Sequence, residues 1–183
     1  MFRLNSYVIC GYPEIVKEQG NELQKEHYYN SQLLVSRDGS FLRSYKKHNL
    51  YYIDEYWAEE GPNFDYIDLK NQLGQVIRIG FGICMDINPP HFQEPTKACQ
   101  FANYHKNNNV DLIAFSSNWT DEKIEDQIEM NTINYWASRL SPLLNNQKVI
   151  YFIVANRIGI EKNTIFIGSI KRYFKYFENH KRI

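Results

Sequence analysis

The sequence carries no excess of charge of either sign: 21 lysines and arginines face 21 aspartates and glutamates in 183 residues. That balance removes the general pull by which a basic chain gathers on nucleic acid or an anionic membrane, so no nucleic-acid partner is expected and an uncharged substrate fits better than a polyanion. Cysteine is scarce as well. Cys10, Cys84 and Cys99 are odd in number, far apart and without a CxxC pair, which argues against both a disulfide framework and a zinc site. A reducing, cytoplasmic compartment is expected. Residues 1–10 lack a basic stretch leading into a long apolar one, and no apolar run approaches bilayer length, so no membrane association is expected. Internal repeats and Pro/Gly/Ser-rich linkers are missing too, and His48 and His91 fall at no metal-ligand spacing. No metal or other cofactor is expected.

What the chain does contain is apolar and aromatic residues, 43% and 15% of the whole, enough for one sizeable core over residues 1–183. Short β-rich runs bounded by Gly, Asn, Asp or Pro predict strands over residues 7–11, 31–36, 76–83, 112–116 and 149–155. Helix-like apolar spacing predicts helices over 94–106 and 122–140, the latter through Ile124, Ile128, Ile133, Trp136, Ala137 and Leu140. Asn107-Asn108-Asn109 and Asn145-Asn146 mark loops. Apolar strands separated by long helices define a layered α/β fold.

The most informative strand is Ile79-Gly80-Phe81-Gly82-Ile83-Cys84-Met85-Asp86, which runs into Asn88-Pro89-Pro90. A thiol delivered at the end of a rigid strand has a fixed direction, and the backbone N–H that follows it can face a developing oxyanion. A cysteine in such a strand can equally be a buried structural residue. Upstream lies Tyr45-Lys46-Lys47-His48-Asn49-Leu50, followed by Asp54-Glu55-Tyr56-Trp57. Together the two segments resemble the nitrilase superfamily, in which a lysine lies in an aromatic-Arg-Lys-x-x-Leu segment and a cysteine closes an apolar strand. Lys47 and Cys84 occupy those positions, with Lys46 in place of the usual arginine.

The resemblance narrows to the eukaryotic protein N-terminal amidases through marks that keep their order along almost the whole chain: Cys10-Gly11-Tyr12-Pro13-Glu14, Tyr29-Asn30-Ser31, Asp54-Glu55-x-Trp57, Gly82-Ile83-Cys84-Met85-Asp86-x-Asn88-Pro89, Ser117-Asn118-Trp119, Tyr135-Trp136 with Arg139 and Pro142, and Asn156-Arg157-x-Gly159. Ile170, after Gly168-Ser169, departs from the second serine usual there. The resemblance implies an α-β-β-α sandwich, here incomplete at its N-terminus. It also implies hydrolysis of the side-chain amide of N-terminal Asn or Gln of proteins and peptides, feeding protein degradation.

In that reading Cys84 attacks the carboxamide, while Lys47 favours the thiolate. Lys47 and the Met85 backbone N–H receive the oxyanion. Glu55 is the supporting glutamate that holds the lysine and contacts the substrate amide, whereas Glu59 and Glu60 are surface charge. Asp86, Asn118 and Trp119 shape the pocket; each also has a plain structural role open to it, as a turn cap, a loop hydrogen bond and a core ring. The family's general-base glutamate lies on a strand upstream of the Gly-Tyr-Pro-Glu segment, which here begins at Gly11. The chain is therefore expected to lack that strand, with Glu14 the nearest substitute in sequence. Two alternatives stand beside this reading: an ω-amidase acting on small free amides, and an inactive homologue that binds partners without turnover.

Overall fold

The computed structural model describes residues 5–18, 25–93, 98–121, 128–144, 148–162, 164–168 and 170–173. Strands β1 (Val8–Lys17), β2 (Glu26–Val35) and β3 (Phe41–Lys46) form an antiparallel sheet in that order. β1 runs past Gly11, where the sequence predicts the strand to end, and through Pro13. As an edge strand it has one partner, and proline, which cannot donate to a ladder, is tolerated there. Neither β3 nor β4 (Tyr66–Lys70) was anticipated; each is short, and each takes its form from an antiparallel neighbour.

The second sheet follows the expectation more closely. β5 (Val76–Ile83), β6 (Leu112–Ser117) and β8 (Tyr151–Asn156) run parallel, with β4 antiparallel on one side and β11 (Ile170–Tyr173) on the other, in the order β11-β8-β6-β5-β4. The crossovers carry α1 (Gln100–Asn107), then α2 (Ile128–Arg139) and α3 (Ser141–Leu144). The first helix starts later than expected, with 98 and 99 outside it, and the second is helical from the first residue described after 121; 94–97, 122–127 and the predicted loop at 145–146 lie outside the described residues. Ala137, expected on the apolar face, is exposed, whereas Trp136 and Leu140 are buried. A small sheet, β7 (Thr120–Asp121), β10 (Thr164–Ile167) and β9 (Ile158–Glu161), completes the strands.

Two apolar clusters divide the layers. Phe101, Ala102, Trp136, Leu140 and Leu143 of the helices pack on Ile113, Phe115, Phe152 and Val154 of the parallel strands. Leu34, Tyr45, Leu69, Phe81 and Ile83 fill the space between the two sheets. The alternation along β5 explains its unusual composition. Phe81 and Ile83 face the three-stranded sheet, while Gly80 and Gly82 face α1, where an added Cβ would collide with His105 at one and with Phe101 and Phe115 at the other. Fully buried Gln32 pins the layers together: its amide nitrogen donates to Ser116 Oγ (2.7 Å), and its oxygen accepts the Gly82 N–H (3.2 Å).

Candidate active site

The parallel strands deliver their carboxyl ends to one edge of the sheet, the customary place for a site in an α/β sheet. Cys84 follows β5, Asn118 and Trp119 follow β6, and Asn156 closes β8. Cys84 opens a 3-10 turn, Cys84–Ile87, with φ at +43°. That left-handed conformation is unfavourable for a residue with a Cβ and is kept only where surrounding bonds impose it, as at a nucleophile elbow. Its side chain is half-buried against the inter-sheet cluster.

The imposing group is Asp86. Its carboxylate is fully buried and accepts from Ile83 N–H (2.7 Å) and Tyr45 O–H (2.8 Å) through one oxygen, and from His48 N–H (3.1 Å) and Asn49 N–H (2.8 Å) through the other. The first bond closes the cysteine turn; the others tie it to the segment carrying Lys47. Burial pushes the Asp86 carboxyl above the ordinary range, opposed by the charge of Lys47 and by these bonds. Burial and the neighbouring Asp86 push the Tyr45 phenol far above its own, so it remains a donor. With both oxygens engaged inside the protein, Asp86 is not a wall of the pocket, as the sequence suggested, but a buckle between two segments.

Lys47 is 2% exposed and its ammonium pairs with Asp54. Asp54 also accepts from Asn30 Nδ2 (3.0 Å) and Tyr51 N–H (3.0 Å), so the buried pair is well satisfied. This corrects the role given to Glu55. In the 3-10 turn Asp54–Tyr56 the two adjacent acids diverge, and it is Asp54 that turns inward. Glu55 stays 40% exposed and meets His91 Nδ1 at 3.3 Å. Beside it lies a cavity of about 260 Å³ walled by residues 48–50, Glu55, Glu60, Pro90 and His91. Glu59 and Glu60 are exposed and pair with His27 and His48.

The Met85 side chain is core, taking a bond from Asn88 Nδ2 at 3.5 Å. Its backbone N–H sits second in a 3-10 turn, where amides have no acceptor within the helix. Asn118 is exposed, whereas Trp119 packs edge-on against Trp136 with centroids 5.4 Å apart. The Trp119 N–H donates to Asn156 Oδ1 (2.9 Å), and Asn156 Nδ2 donates to Gly168 O (2.8 Å), fixing this loop. From α2, Tyr135 O–H donates to Asn88 Oδ1 and Arg139 Nε to Ile87 O (3.1 Å), clamping the far end of the cysteine turn. Sequence reasoning gave no role to Asp54, Gln32 or Asn49; Asp54 and Asn49 lay in motifs it had marked, and Gln32 did not.

Glu14 faces away from all of this. Its carboxylate accepts from Ser31 Oγ (2.7 Å) and Ser44 Oγ (2.8 Å). Ser31 precedes inward-facing Gln32, so strand alternation puts the Glu14 cluster on the opposite face of the three-stranded sheet from Cys84.

Residues 3–169 match the carbon-nitrogen hydrolase family. The chain is 34% identical over 178 residues to a protein N-terminal amidase of Schizosaccharomyces pombe, covering 89% of this chain and 60% of that protein. Crystal structures of an N-terminal amidase with an Asn-Glu-Ala peptide and with a Gln-Gly peptide superpose with TM-score 0.54 and 26% identity, over 76% of this chain and 34% of theirs. The chain thus spans 60% of the fission-yeast relative and about a third of the solved ones. The family match takes in nearly the whole chain, from the three-stranded sheet through the Cys84 turn to the last parallel strand, and the chain belongs to the carbon-nitrogen hydrolase family.

Proposed function

We propose that the chain carries the nucleophile and oxyanion site of an amidase that converts N-terminal Asn or Gln of proteins and peptides to Asp or Glu with release of ammonia. The observation that carries this reading is the Asp86 buckle, which binds the strained Cys84 turn and the Lys47 segment into one unit. An amide is a poor electrophile with a poor leaving group, so the attacking sulfur must be a thiolate, and a nearby ammonium favours that form. Cys84 Sγ bonds to the carboxamide carbon, and the carbonyl electrons move onto oxygen, where the Lys47 ammonium and the Met85 N–H stabilise them. Collapse expels the nitrogen, which takes a proton to leave as ammonia. Water then attacks the thioester, giving the carboxylate and restoring the thiol.

Proton transfer in both halves needs a carboxylate within hydrogen-bond reach of the reacting atoms. Glu14 is on the wrong face for it. The relatives solved with Asn- and Gln-initiated peptides support the substrate class. The acidic N-terminal residue formed is suited to feed protein turnover, and the lack of any disulfide among the described residues suits a cytoplasmic setting.

The test is ammonia release from an Asn-initiated peptide, beside a small free amide. Peptide-dependent release that disappears in Cys84→Ala, survives Cys10→Ala and Cys99→Ala, and falls about a hundredfold or more in Lys47→Ala supports the reading. Release from the small amide alone would make the protein an ω-amidase, and release that survives Cys84→Ala would remove the nucleophile.

A further inference from the structure

Gln32 places an amide with no exposed surface beside the apolar cluster of Leu34, Phe81 and Ile83. We infer that it is a positioning residue for the amide hydrolysis: together with Asn30 on the same face of β2, it sets the Cys84 turn at a fixed separation from Lys47. The inference rests on the amidase reading above, in which that cysteine and that lysine act as a pair.

A buried amide gains little stability over an apolar side chain of its size, because folding only exchanges its bonds to water for bonds to protein. What it adds is direction. The Gly82 N–H is a donor, so the atom it meets at 3.2 Å is the amide oxygen, and the amide nitrogen is the one that faces Ser116 Oγ at 2.7 Å and Ala114 O at 3.4 Å. Gly82 stands two residues before Cys84, and Ser116 two residues before Asn118. Both lie at the carboxyl ends of adjacent parallel strands, β5 and β6, whose rigid backbones carry the constraint on to the residues that follow.

The same strand holds the lysine. Asn30 O accepts the Lys47 N–H at 2.8 Å, and Asn30 Nδ2 donates at 3.0 Å to Asp54, the partner of the lysine ammonium. Asn30 and Gln32 are two positions apart, so strand alternation puts them on one face, about 7 Å from each other along the chain. One segment of β2 therefore carries the lysine at one residue and the cysteine strand at the next on that face. Asp86 holds the turn by a separate route, through the Ile83 N–H at 2.7 Å. The two amides before Cys84 are thus held by groups on different segments, and the Gln32 bond is the one that refers the cysteine to the strand bearing Asn30.

The experiment follows alkylation of Cys84 by iodoacetamide at pH 7 and at pH 9.5, read by peptide mass spectrometry because Cys10 is exposed. Gln32→Met keeps the volume and removes the bonds. It should slow the reaction at pH 7 by at least about fivefold and leave it within about twofold at pH 9.5, where a thiolate forms without help from an ammonium. Leu34→Val loosens the same cluster without touching those bonds and should react as the parent does at both pH values. Should Gln32→Met fail to fold, Ser116→Ala releases the amide nitrogen alone and should give the same pattern at smaller size. Parent-like rates, equal slowing at both pH values, or the same pattern in Leu34→Val would overturn the positioning role. Lys47→Gln, which keeps a donor for Asp54, separates this outcome from the amidase reading, and it should slow the reaction at pH 7 at least as much as Gln32→Met. If Lys47→Gln slows it and Gln32→Met does not, the positioning role alone falls. If Lys47→Gln reacts as the parent does, the pairing of cysteine and lysine falls and the positioning role with it.

Discussion

The backbone N–H of Asn49 donates to the carboxylate of Asp86 at 2.8 Å, and through that contact the lysine segment and the cysteine turn become one rigid unit. The same carboxylate holds Ile83, His48 and Tyr45. Replacing Asp86 by Asn substitutes a donor for one oxygen and sets it against two of these donors. The expected cost is about 3 kcal/mol in urea unfolding. In the protein that still folds, alkylation of Cys84 by iodoacetamide near neutral pH should slow, because the turn no longer has its register beside Lys47. Unchanged stability and unchanged thiol reactivity would show that the buckle is dispensable.

Asp54 and Glu55 are neighbours in sequence with opposite expected phenotypes. Asp54→Ala leaves the buried Lys47 ammonium without its counter-charge, which should cost about 3–5 kcal/mol. Glu55→Ala removes an exposed side chain and should change stability by no more than about 0.5 kcal/mol. Denaturant unfolding of the two variants checks this directly. A severe loss in Glu55→Ala with a mild one in Asp54→Ala would restore the assignment made from sequence.

The contrast also marks where sequence reading stopped. The β5 strand, its bounds Val76–Ile83 and the cysteine closing it were legible, because an apolar run ending in a polar turn is a local pattern. Which of two adjacent acids faces inward is not settled by local pattern alone: beside the nearby Tyr51 N–H it takes Asn30, on a strand distant in sequence, to hold Asp54 inward. Asp86 was visible beside the cysteine, but its four donors come from Tyr45, His48, Asn49 and Ile83, and only the last is nearby in the chain. Strands β3 and β4 escaped for the same reason, since their pairing partners rather than their composition define them.

Glu14→Gln is expected to leave amide hydrolysis within about twofold of the parent, whatever rate the parent shows, because the side chain lies across the sheet from Cys84 and cannot approach the reacting atoms. Its effect should fall on stability instead. The bonds from Ser31 and Ser44 lose a charged acceptor, for a cost of about 1–2 kcal/mol. Ammonia release and urea unfolding, measured on the same preparation, separate the two roles. Loss of turnover at unchanged stability would make Glu14 the base and reverse the facing argument.

His105 ties pH to the stability of the same strand. It sits on α1 with no exposed surface, donates from Nε2 to Phe81 O at 3.1 Å, and packs edge-on against Phe101 with centroids 4.5 Å apart. Nδ1 has no partner among the described residues and lies over Gly80, where a Cβ would collide with the ring. Burial lowers its pKa to about 3, with the Phe81 carbonyl pulling weakly the other way. An unfolded chain returns the imidazole to about 6.5. Between those values the unfolded state binds a proton that the native state refuses, so stability rises with pH across this window. The contribution is fully present above about pH 6.5 and is lost progressively as pH falls toward 3. From pH 7.5 to pH 4.5 it amounts to about 2–3 kcal/mol. His105→Gln keeps a neutral donor for Phe81 O without the titration, so its stability should fall less steeply over the same range. Urea unfolding of both proteins at several pH values gives the difference in slope. Parallel slopes would mean that His105 is hydrated or charged in the native protein, contrary to its packing between α1 and β5.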